Sequence, residues 1–96
     1  MPHYLKNNGI IIMDYTPNIK KEDLKHGHYY RGRCRNASVA RWNAERQCFV
    51  HWRTKFGSTF LEEIKCPEDE QYYDVFVTYE DLTEAHQTVK EIPLDG

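Results

Sequence analysis

The chain has 96 residues, of which 40% are hydrophobic, 14% aromatic and 29% charged, a composition that suits one folded globular unit and excludes a disordered or low-complexity polymer. The longest aliphatic run, Ile10 to Met13, is far shorter than the roughly 20 residues needed to cross a bilayer as a helix. The net charge of −2 conceals an uneven distribution: residues 1–24 sum to 0, residues 25–56 to +7 and residues 57–96 to −9.

In chain order, the opening Met1-Pro2-His3-Tyr4-Leu5-Lys6 carries no apolar core and no small-residue cleavage site of a secretory signal, so the expected location is cytoplasmic. Asn7-Asn8-Gly9 predicts a turn, and Ile10 to Tyr15 a strand ended by Pro17. Lys20 to Asp23 is a solvated connector into the main body, which is expected over residues 24–78.

From His28 the pattern has a period near two. Tyr29, Arg31, Arg33 and Arg35 share one side of the predicted strand, and Tyr30, Gly32 and Cys34 the other. Ala40 and Trp42 belong to the next strand, Asn43 to Gln47 to a polar turn, and Cys48, Val50, Trp52, Thr54 and Phe56 to a further inward row. Pairing Trp42 with Cys48 and Ala40 with Val50 sets inward residues opposite one another, and it sends Arg41, Phe49, His51, Arg53 and Lys55 outward with the arginines of the first strand.

Gly57-Ser58 predicts a turn, and Thr59 to Ile64 a strand in preference to a single helical turn. Pro67 to Glu70 reads as an acidic loop, Asp74 to Thr78 as a short strand, residues 79–92 as a short amphipathic helix and residues 93–96 as a loose terminus. The sum is a mainly β single domain: a small barrel or curled antiparallel sheet of about five strands with a short C-terminal helix. The Gly27-x-Tyr29-Tyr30 entry, the two central hairpin strands and the short closing strand resemble SH3-like small barrels over about Leu24 to Thr78. The resemblance implies a binding module at the level of fold alone.

Repeating guanidinium groups beside aromatic rings suit an anionic partner, either nucleic acid or an acidic protein surface. The expected contact residues are Tyr29, Arg31, Arg33, Arg35, Arg41, Phe49, His51, Arg53 and Lys55. A second reading from another class is a small regulator or inhibitor that docks on a larger protein through its acidic segment, with Glu62, Glu63, Glu68, Asp69, Glu70 and Asp74 as the surface. A third is a self-associating structural protein joined basic face to acidic segment, its assembly weakened by salt.

Trp42 and Trp52 are read as core in preference to a methyl-lysine cage. Cys34, Cys48 and Cys66 have no Cys-x-x-Cys pairing, and with His26, His28 and His51 they lack a zinc-ligand spacing, so neither metal nor cofactor is expected. Cys48 and His51 lie three apart on a predicted strand and so face opposite sides, which argues against a nucleophile pair; no glycine-rich phosphate loop occurs, and the expectation is a non-catalytic protein.

Overall fold

The β-branched and aromatic residues that alternate from Tyr29 onward build a five-stranded antiparallel sheet in the computed structural model, which describes residues 6–7, 10–11, 16–35, 37–69, 75–84 and 90–94. Two short strands, β1 (Lys6–Asn7) and β2 (Ile10–Ile11), pair with each other. A 3-10 turn follows at Lys21–Asp23, and then β3 (Tyr29–Arg33), β4 (Val39–Asn43), β5 (Cys48–Lys55), β6 (Ser58–Ile64) and β7 (Val77–Asp81).

The sheet order is β6-β5-β4-β3-β7, a four-strand meander from β3 to β6 with the fifth strand, β7, returning beside β3. It is not closed into a barrel. The opposite edges meet at one parallel bridge, Lys65 with Val75, beside the bond from the Phe76 amide to the Lys65 carbonyl (3.0 Å). The expected C-terminal helix is also absent where it can be followed. Tyr79 to Asp81 complete β7 and residues 82–84 and 90–94 are irregular, while residues 85–89 lie outside the described residues.

The predicted pairing of β4 with β5 is displaced by one residue. Trp42 lies opposite Phe49, Arg41 opposite Val50 and Asn43 opposite Cys48. The cause is the turn: Asn43 Oδ1 accepts the amides of Glu45 (3.0 Å) and Arg46 (3.1 Å), and Gln47 takes a left-handed φ of 55°. These devices make the connection four residues long instead of five, and a one-residue slip sends every β5 side chain to the other face.

One face carries an aromatic core of Tyr30, Trp42, Phe49 and Phe76 with Ala40, Ile64 and Cys66, covered by Ile19 and Leu24. Phe49 is its hub, with ring centroids 4.9 Å from Trp42, 4.7 Å from Phe76 and 6.1 Å from Tyr30. The other face buries Tyr29, Cys48 and Val50 under Ile92. Because both faces are covered, Cys48, Phe49, Val50 and His51 are all buried, and alternation alone does not separate inside from outside there.

A shift of register in the β3–β7 pairing leaves Tyr79 unmatched and brings the backbones close at Gly32. A Cβ on Gly32 would fall 2.4 Å from the Val77 carbonyl oxygen and 2.6 Å from the Phe76 ring, so no larger residue fits that contact.

Candidate functional site: the basic end of the sheet

The slip separates the expected contact residues. Tyr29, Arg31 and Arg41 go to one face, and Phe49, His51, Arg53 and Lys55 to the other. Four of the nine are not surface groups as expected. Tyr29 and Phe49 are core, and His51 is 1% exposed. The Arg41 guanidinium lies 5.0 Å from the Tyr29 ring centroid and donates to the carbonyls of Gly27 (2.8 Å) and Ile92 (2.7 Å). Trp42 and Trp52 also occupy opposite faces, which removes any cage between them.

Strand direction gathers what the faces divide. β4 runs antiparallel to both β3 and β5, so β3 and β5 finish at the same end of the sheet. Arg33 and Arg35 therefore lie at the end that also holds Arg53 and Lys55, with the β3–β4 loop and the β5–β6 turn between them. Arg35 and Lys55 are exposed, and Arg33 and Arg53 half-buried. The Arg33 Nε donates to the Tyr79 hydroxyl (2.8 Å). Arg31 stands one step further in, 5.6 Å from the Tyr79 ring and bonded to Glu80 (2.9 Å).

β5 and β6 extend past their neighbours. β4 pairs only as far as Val50, whereas β5 and β6 stay paired out to Lys55 with Ser58. Residues 54–60 are all exposed, and the two-stranded arm ends in a turn at Phe56 and Gly57 with φ of 51° and 80°. Positive φ at both positions is the pattern of a type I′ hairpin turn, for which Asn-Gly is the usual pair and a bulky side chain at the first position is strained. Phe56 is 95% exposed and Phe60 40%. The Lys55 ammonium lies 5.6 Å from the Phe56 ring. Placing Gly57-Ser58 in the turn and Phe56 in an inward row missed this residue; a Phe-Gly pair between two strand patterns was the available signal.

Three of the six acidic candidates pair with the chain's own basic side chains, and a fourth accepts a main-chain amide. Glu62 bonds Arg53 (2.5 Å) and the His51 Nε2 (3.0 Å). Burial pushes its carboxyl up, but those two partners outweigh it and hold it below the ordinary range. Glu63 pairs with Arg46, whose guanidinium lowers it in the same way. Glu68 accepts the Lys21 amide (2.9 Å), and Asp69 bonds the Lys21 ammonium (2.7 Å). Glu70 and Asp74 lie outside the described residues.

Among the described residues no group of three or more His, Cys, Asp or Glu is placed to hold a metal ion. Burial, with Glu68 and Asp69 nearby, pushes the Cys66 thiol up to about 12, and burial raises Cys48 as well, which disfavours the nucleophilic thiolate at both. Cys48 and His51 face opposite sides of β5. No helix among the described residues is long and apolar enough to cross a membrane.

A scan against protein-family models finds no match, and searches of curated proteins and of solved structures find none either.

Proposed function

We propose that this chain is a non-catalytic binding module that meets an anionic macromolecule, nucleic acid or an acidic protein surface, at the basic end of its sheet. One observation carries the reading: Arg33, Arg35, Arg53 and Lys55 share that end with an exposed aromatic arm, although they arise from different faces. A two-stranded ribbon with cations along it and a ring at its tip suits a groove or an unstacked base. Arg35 and Lys55 supply the most accessible charge. Phe56 supplies contact area that the fold itself does not use.

The strand order supports an SH3-like reading, with β3 to β6 as the meander and β7 as the closing strand. The raised thiols of Cys66 and Cys48 disfavour a cysteine nucleophile. The acidic-docking alternative is less well supported, because Glu62, Glu63, Glu68 and Asp69 are engaged within the chain.

The test is the salt dependence of binding to a labelled oligonucleotide, set against an acidic polypeptide of the same charge. If nucleic acid is the partner, Lys55→Ala and Arg35→Ala each lower the slope of log affinity against log salt by about 1. Tighter binding to the acidic polypeptide assigns the site to protein. Slopes unchanged by both substitutions overturn the reading.

A further inference from the structure

The second face of the sheet is covered by an extended segment, residues 90–94, and the way it is held differs from a strand. Its backbone is read by side chains. The Trp52 indole donates to the Glu91 carbonyl (2.9 Å), the Arg41 guanidinium donates to the Ile92 carbonyl (2.7 Å), and the Ile92 amide donates to the Tyr29 hydroxyl (2.8 Å). Asn43 Nδ2 reaches the Leu94 carbonyl at 3.5 Å.

Two side-chain subsites accompany this main-chain recognition. Ile92 is 1% exposed, in a pocket formed with Tyr29, Cys48 and Val50. The Lys90 ammonium sits 4.3 Å from the Trp52 ring centroid, at cation–π distance. Pro93 restricts Ile92 to extended backbone and has no amide that needs a partner.

The receptor side is partly prearranged by contacts that do not involve the segment. Arg41 is fixed by the Gly27 carbonyl and the Tyr29 ring, and Asn43 by the turn amides of Glu45 and Arg46. Tyr, Trp and Arg side chains in such positions are the usual carriers of binding energy at interfaces. Side chains that read main-chain groups accept any segment of the same shape, and only the aliphatic pocket and the aromatic platform select its sequence.

We propose that this groove is a recognition site for an extended peptide of the form cation, any residue, branched aliphatic, proline, aliphatic. The chain's own Lys90-Glu91-Ile92-Pro93-Leu94 occupies it as an intramolecular ligand. A partner protein carrying a segment of that chemistry takes its place. This site lies on the face away from Arg53 and Lys55 and does not depend on the anion-binding reading.

The experiment uses the full chain and a labelled Lys-Glu-Ile-Pro-Leu peptide with blocked ends, followed by fluorescence anisotropy. Ile92→Ala weakens the internal ligand, so that variant binds the peptide at least tenfold more tightly than the unmodified chain, and a peptide with Asp in place of Ile binds neither. Hydrogen exchange of the unmodified chain gives a second readout that needs no variant. Excess peptide speeds exchange of the Ile92 amide, and the Asp peptide leaves it unchanged. Equal affinity for both chains together with an unaltered Ile92 amide overturns the proposal. Exchange of the segment between copies, seen as a concentration-dependent dimer that takes up no peptide, overturns it in favour of a second copy as the partner.

Discussion

Glu62 shows at the level of one residue how this molecule spends its charge. Its carboxylate bonds the buried His51 ring and the Arg53 guanidinium at the root of the arm, with both Glu62 and Arg53 about a quarter exposed, so solvent screens the pair only in part. The carboxyl is held below its ordinary value of 4.5 in the folded chain. Its contribution to stability is therefore complete above that value and fades as pH falls through the lower folded one. Glu62→Gln is expected to cost about 1–2 kcal/mol near neutral pH, read by denaturant unfolding, and the deficit should shrink as pH falls below 4.5 and the native carboxyl becomes protonated as well. A deficit that stays constant with pH would mean that the residue acts through packing and not through charge.

At the level of the element, the strands of the main body were legible and their pairing was not. β-branched and aromatic alternation located β3 to β6, because those residues suit a pleated surface with at least one buried side. The register depended instead on Asn43 and Gln47, whose local bonds and left-handed backbone shorten the turn by one residue. Side-chain alternation carries no information about that length. The first residues of the helix expected beyond Thr78 belong to β7 instead, since Glu80 and Asp81 pair with β3 while the Glu80 and Tyr79 side chains bond Arg31 and Arg33. Long-range partners of this kind override a local helical spacing.

The arm was legible only as a strand pair. Its tip was not, because Phe56 resembles a core residue in any pattern based on hydrophobicity. In the fold it holds a strained turn position and contributes almost no buried surface. Phe56→Asn should therefore raise stability by about 0.5–1 kcal/mol, seen as a higher midpoint in thermal unfolding, while it weakens capture of the partner. Lower stability in that variant would show that the ring supports the fold.

For the whole molecule, the charge imbalance between segments resolves in two ways. Much of the acidic stretch folds back onto the basic one, through Arg31 with Glu80, Arg46 with Glu63 and Arg53 with Glu62. Cationic side chains also gather at the sheet end where β3 and β5 finish, the paired Arg53 among them, a grouping set by strand direction and invisible to any reading by faces. Five of the nine expected contact residues stayed at or near the surface, and the other four were recruited to core or to main-chain bonds. A domain this small has few large side chains to spare, and both faces of its sheet need cover.

On the proposed function, an anion meets the chain at that end and not across a face. Amide chemical-shift mapping by NMR, with a short oligonucleotide titrated into the full chain, reports it directly. Shifts are expected only at Arg33 to Val39 and Arg53 to Leu61, and they should be lost in a Lys55→Glu, Arg35→Glu variant that keeps the rest of the spectrum. Shifts centred on Glu62 to Asp69, or none at the arm and the β3–β4 loop while binding is measured by another method, would contradict it.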